Sequence, residues 1–233
     1  MRKNKGIPDF CMAFLALLPL PLLFTGSVLA QELSEEVLEQ WLESEEQLAP
    51  YGGKGGGEEL KFIHPPPDEP LPFSHTRIEL TEASIESGWV RIEQCHTGLD
   101  PVPDAEVVYQ FRQMRNLRVS EAEGIERFWI EGQSVQLKRV GKGARLCVAL
   151  EAQLLNQTVS GEFRLRYGPF QRRFLDSYFP MHVSLMVDYS RTSLRYGAIS
   201  PASTKGFDVV QEGKQISIDA WFMGKLTIAL DFY

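Results

Sequence analysis

The segment WVRIEQCH, residues 89–96, alternates apolar with polar or charged side chains, which is the period-two pattern of a half-buried β-strand. Successive side chains leave a strand on opposite faces. Val90 and Ile92 therefore turn to one side, and Arg91, Glu93 and Cys95 to the other. If Val90 and Ile92 face a core, Cys95 faces outward and His96 looks the opposite way. ARLCVALE, residues 144–151, repeats the logic with Leu146, Val148 and Leu150 inward and Arg145, Cys147, Ala149 and Glu151 outward. Both cysteines sit on the polar face of their strands, so a cross-strand disulfide between Cys95 and Cys147 is expected if the strands are neighbours. In the chain-entropy description, closing a loop of about 50 residues stabilises by roughly 4 kcal/mol.

The same alternation recurs in HTRIELT (75–81), AEVVYQF (105–111), ERFWIEG (126–132), SVQLKRV (134–140), EFRLRY (162–167), MHVSLMVDY (181–189), QISIDAWF (215–222) and KLTIALDFY (225–233). In the last of these Leu226, Ile228, Leu230 and Phe232 share one face. Short strands separated by Gly, Pro, Asn, Asp and Ser clusters predict an all-β, antiparallel β-sandwich. Its architecture is immunoglobulin-like, but the immunoglobulin pattern is not present. That pattern has an inter-sheet core disulfide, a tryptophan soon after the first cysteine and a tyrosine two residues before the second, whereas here Trp129 lies far along and Arg145 precedes Cys147. The segment RRFLDSY (172–178) is expected to supply at most two helical turns.

Upstream, MRKNK is followed by the apolar run FCMAFLALLPLPLLF (10–24) and the small-residue stretch TGSVLA. This is the order of an export signal, with cleavage expected after Ala30. The run contains Pro19 and Pro21 and is short for a membrane-spanning helix. Residues 1–30 are read as a signal peptide, so no stable membrane span remains after cleavage. Export makes a disulfide the natural state of two thiols within reach, and the expected destination is periplasmic or secreted. A membrane barrel fits poorly, because many strands carry charges on their outward parity.

Residues 31–59 hold nine glutamates and one lysine, while the whole chain has net charge −7. The acidity therefore belongs to an appendage, and the rest is close to neutral, which argues against nucleic-acid partners. Within residues 31–50, Leu33, Val37, Leu38, Trp41 and Leu42 recur at helical spacing among glutamates. Ser34 serves as the expected N-cap and Pro50 as the stop. Such a short amphipathic helix is marginal alone, so its apolar stripe needs a surface to dock on. A Gly-rich then Pro-rich linker (51–73) tethers it to the β-sandwich domain (74–233).

The candidate binding patch lies in EFRLRYGPFQRRFLDSYFPM (162–181), where Arg164, Arg166, Arg172 and Arg173 interleave with Tyr167, Phe170, Phe174 and Tyr178. Arginine and aromatic residues anchor interfaces and stack on sugars; in a plain sandwich the same aromatics fill the core. Opposite charge makes this segment a natural partner for the acidic helix, and an envelope protein or glycan is the alternative partner. No nucleophile elbow, triad signature or phosphate-cradling loop is present. His64, His75 and His182 are scattered, and adjacent Cys95 and His96 cannot both reach one ion from one strand. No cofactor, metal or catalytic residue is assigned. The leading expectation is an exported, non-catalytic binding or interaction protein. The alternatives are a carbohydrate-active or other hydrolytic enzyme on a β-sandwich and, more weakly, a metal-binding protein. Paired carboxylates in a concave site with exposed Trp89, Trp129 or Trp221 would mark the enzyme.

Overall fold

MHVSLMVDYSR shows how alternation becomes architecture: Met181, Val183, Leu185, Val187 and Tyr189 are buried, and the residues between them are half-buried. The computed structural model describes residues 56–68 and 70–233. The signal peptide of residues 1–30 and the acidic helix of residues 31–50 lie outside the described residues. From its start the described chain runs through β1 (Lys61–Phe62), β2 (Phe73–Thr81), the helix α1 (Glu82–Ser87), β3 (Trp89–Leu99), β4 (Val102–Val108), β5 (Met114–Glu131) and β6 (Ser134–Gln153). There follow β7 (Leu155–Gln157), β8 (Phe163–Phe170), β9 (Arg172–Phe174), β10 (Ser177–Phe179), β11 (Met181–Arg191), β12 (Tyr196–Ser200), β13 (Phe207–Glu212), β14 (Gln215–Met223) and β15 (Leu226–Phe232).

The fold is all-β. Nine strands form one sheet in the order β1-β14-β11-β2-β3-β6-β4, with β13 also on β14 and β5 also on β6. Strands β12, β15, β8 and β7 form a second sheet, and β9 pairs with β10 as a small hairpin. The inward residues of both larger sheets merge in one apolar core, from Ile78, Ile92 and Leu185 on one side to Leu165, Ile228 and Phe232 on the other. The last strand behaves as its sequence predicts, with Leu226, Ile228, Leu230 and Phe232 buried. All pairings are antiparallel except β2 with β11, which is parallel. Those two strands are far apart in sequence, and the long connection between them removes the hairpin constraint that forces antiparallel pairing.

Four local readings are corrected. SVQLKRV and ARLCVALEA are not two strands: they join in the 20-residue β6. The intervening GKG stretch lies within β6 but outside the paired register, which jumps from Glu123 opposite Arg145 to Ile125 opposite Val140. A bulge of this kind bends a ribbon without ending it. RRFLDSY is a hairpin, not a helix, with Phe174 opposite Ser177 and the turn fastened by Arg173, which donates to the Leu175 carbonyl and to Asp176. Among the described residues the helix is α1, in which Ser84 Oγ accepts the Thr81 amide at 3.0 Å. Gly88 ends it at φ 76°, where a Cβ would stand 2.6 Å from the Leu155 carbonyl oxygen, so only glycine fits. Finally, the expected linker is partly ordered into the sheet: Lys61 and Phe62 pair with β14, and Gly56 exchanges two main-chain hydrogen bonds with Tyr178.

Cys95 and Cys147 are direct partners in the β3–β6 ladder and form a disulfide, with Cα atoms 4.0 Å apart. The bridge lies within one sheet, on its outer face, and not between sheets as in the immunoglobulin arrangement. Cys147 is nevertheless buried, because Arg145 lies along it with its Nε 3.4 Å from the sulfur while pairing with Glu121. Replacing both cysteines by alanine is expected to lower the unfolding free energy by about 4 kcal/mol, measured by urea denaturation under non-reducing conditions. Reduced wild-type protein should show the same midpoint as the variant.

Candidate functional site

Beyond the bend in β6, its first half leaves β3 and pairs instead with β4, from Val102 opposite Val140 to Val108 opposite Ser134. β4, this half of β6 and the corner of β8 together line a cleft of about 700 Å³. Gly168 makes that corner possible. At φ 117° it approaches β15 so closely that a Cβ would lie 2.7 Å from the Leu226 carbonyl oxygen, and the β8–β15 register slips beside it. The cleft's walls are apolar, with Leu99, Val107, Leu137, Val140, Phe170 and Met181 among them. Phe111 stacks on Tyr167 at 5.6 Å, and Phe170 meets Tyr167 edge-on at 5.0 Å.

A few polar groups converge on these walls. Gln94 donates to Ser74 Oγ at 3.1 Å and Thr76 Oγ1 at 3.0 Å, and Thr76 is in turn hydrogen-bonded to Tyr167. That network is internally satisfied. His96 Nε2, the Tyr109 hydroxyl and Gln171 Oε1 are not: each is inaccessible to solvent and has no hydrogen-bond partner among the described residues. Unsatisfied buried polar atoms cost roughly 1–3 kcal/mol apiece, and three of them lining one cleft mark it as a functional candidate. Burial holds His96 neutral, with its pKa lowered to about 4. Burial also pushes the Tyr109 and Tyr167 hydroxyls far above the usual phenol range.

The β9–β10 hairpin closes one side of the cleft and is locked to the opposite rim. Arg172 makes a bidentate pair with Asp100, at 2.9 Å and 2.7 Å, and donates to the Pro180 carbonyl at 3.1 Å. Its side chain is 11% exposed, so this is a largely desolvated clamp. Arg173 projects at the mouth, over the Tyr178 ring at 6.0 Å.

The candidate patch thus divides by strand parity. Tyr167, Phe170, Arg172, Arg173 and Phe174 line the cleft. Tyr178 is buried beneath the first described residues. Arg164 and Arg166 are exposed on the outward side of β8, where Arg164 pairs with Asp231 at 2.6 Å and 2.9 Å. His96, Tyr109 and Gln94 belong to the site and escaped the sequence reading. The signal for them was available: His96 and Gln94 share the inward parity of Val90 and Ile92, and a polar residue on a core face needs a partner.

Carboxylates do occur near a tryptophan, in a shallow groove of about 270 Å³ containing Asp104, Glu106 and Trp129. Both are engaged, Asp104 with Lys138 and Glu106 with Gln136 at 2.6 Å. A histidine–carboxylate pair, His182 Nε2 to Asp219 at 2.7 Å, lies on the outer sheet face between Phe73 and Trp221, stacked on both. Among the described residues no three His, Cys, Asp or Glu side chains come together as a metal site.

No family model and no curated protein matches the chain. It is similar to crystal structures of an M1 zinc metallopeptidase from Deinococcus radiodurans, at 14% identity and a TM-score of 0.35 for a mutant form, and at 13% and 0.33 for a structure described without a mutation. The matches cover 77% of this chain, which spans only 43% of theirs. At that level neither fold nor activity transfers.

Two outcomes follow from the site's physics. With a folded-state pKa near 4 against an ordinary 6.5 for His96, the unfolded chain takes up the proton first as pH falls. Stability attributable to His96 is therefore whole above pH 6.5 and declines between pH 6.5 and 4, by roughly 3 kcal/mol. The unfolding free energy of His96→Phe, followed by urea denaturation across that window, should lack this limb. Arg172→Ala leaves Asp100 without its partner and should destabilise by about 3–5 kcal/mol, with the loss read by the same measurement at pH 7.

Proposed function

We propose that this is an exported, non-catalytic binding protein of the cell envelope, periplasmic or secreted, that takes its ligand at the cleft and its β9–β10 hairpin. The observation that carries the reading is the set of orphaned polar atoms, His96 Nε2 and the Tyr109 hydroxyl foremost, on the apolar walls of a ligand-sized cleft. Ligand sites have this composition: mostly apolar lining with a small number of placed polar groups. The disulfide and the signal-like N-terminus support an oxidising destination. Among the described residues no helix is long and apolar enough to cross a membrane.

The acidic segment of residues 31–50 docks on the same hairpin. Gly56 pairs with Tyr178 in both directions, at 2.9 Å and 3.0 Å, so the chain passes β10 as it enters the domain. A tether of five residues reaches at most about 20 Å. In the proposed docking the stripe of Leu33, Val37, Leu38, Trp41 and Leu42 covers the hairpin, and the segment's glutamates are of opposite charge to Arg173. A carbohydrate-active or hydrolytic role is disfavoured by the engagement of both groove carboxylates.

Hydrogen exchange on the mature chain, residues 31–233, tests the docking. Amides of residues 33–48 should be protected at low salt, and protection should fall severalfold in 0.5 M NaCl (~4 Å screening length) and in Arg173→Glu. Rapid exchange of that segment in every condition would overturn the docking on its own domain.

A further inference from the structure

The ligand class can be read from what the cleft lacks and what it leaves unsatisfied, taking as its basis the reading of the cleft as a binding site. Its cations are already committed: Arg172 is spent on Asp100 and Arg173 on Asp176 and the Leu175 carbonyl. Of the lining carboxylates, Asp104 pairs with Lys138, while Glu106 is hydrogen-bonded to the neutral amide of Gln136 and so adds a negative charge that also disfavours an anion. What the interior does offer is hydrocarbon and aromatic surface, together with the Tyr109 hydroxyl and His96 Nε2, both inaccessible and without a partner among the described residues. Tyr109 is only 4% exposed, so water does not reach its hydroxyl in this conformation, and a ligand oxygen meets it only once a lining side chain turns aside.

We propose that the cleft binds an uncharged, chiefly apolar small molecule whose hydroxyl or carbonyl oxygen meets Tyr109 and His96, a long-chain alcohol or ketone and not a fatty acid anion. A hydroxyl suits either atom, because it both donates and accepts. Tyr109 can give its proton to the ligand oxygen, and the imidazole either accepts the ligand's proton or donates its own, according to tautomer. A carboxylate entering the same position would lose its hydration and find no unpaired cation there. The cleft's about 700 Å³ lies within the range of sites that bury most of a drug-sized ligand. Its apolar walls continue along the inner face of β4 and β6 through Ala105, Val107 and Leu137, which suits an elongated tail.

The test uses the mature chain, residues 31–233, with N-phenyl-1-naphthylamine as a fluorescent apolar probe at pH 8. One probe per chain is expected, displaced by 1-decanol at a concentration at least about tenfold lower than decanoate requires, a difference of the size that separates paired from unpaired buried groups. Tyr109→Phe should weaken decanol by about fivefold relative to any change in the probe's own affinity, the worth of one hydrogen bond. Ala105→Trp, which fills the cleft, should abolish probe binding with an unchanged circular-dichroism spectrum. Tyr109→Phe removes a single oxygen, so it keeps the test available if the tryptophan variant does not fold. Absence of probe binding, displacement by decanoate as readily as by decanol, or equal decanol affinity in Tyr109→Phe would each overturn the assignment. Probe fluorescence and the hydrogen exchange of residues 33–48 are separate readouts, so failure of the ligand class is distinguishable from failure of the hairpin docking.

Discussion

The pairing of β6 on both sides of its central bulge is the constraint on which the rest of the molecule depends. β5 accompanies it from Met114 opposite Ala152 to Glu131 opposite Ser134, so the strand cannot stop at its bend without breaking a long ladder. On the other edge β3 serves its second half and β4 its first. A strand held by both neighbours but bulged in the middle must turn as a unit. The cleft lies along β4 and the first half of β6.

The strand before it, β3, shows how one extended segment serves two purposes. Cys95 and His96 are adjacent in sequence, yet the pleat sends them to opposite sides of the sheet. Outward, Cys95 locks β3 to β6 by a covalent bond directly across the ladder. Inward, His96 sits opposite Ser74 and Leu146, neutral through burial. The bridge thus fixes the register that presents the imidazole, because a slip of one residue would exchange the two faces.

The arginine/aromatic segment divides in the same way. Where β8 keeps strict alternation, Arg164 and Arg166 go outward and Leu165 and Tyr167 inward. Past Gly168 the chain turns into the β9–β10 hairpin, and its residues become the wall and rim of the cleft. Arg172 then acts as a fastener: its fork spans from the hairpin to Asp100 at the β3–β4 turn and so ties the two together. Aromatic residues that looked equally suited to core or interface do both, since Phe111, Tyr167 and Phe170 pack on one another while facing the cleft.

The sequence by itself determined the all-β class, the inward and outward sets of β3, β11 and β15, and the facing of the two cysteines, because side-chain alternation is a local property of extended backbone. It also marked 162–181 as distinctive. Only the tertiary structure decided that β3 and β6 are neighbours, that β2 and β11 run parallel, that the GKG stretch bends a strand instead of ending it, and that RRFLDSY turns as a hairpin. It also brought His96, Tyr109 and Gln171 from distant parts of the chain to one cleft. Those outcomes rest on which strands pair and where a ladder tolerates an extra residue, and both are settled by burial summed over the whole core, which no short window of sequence contains.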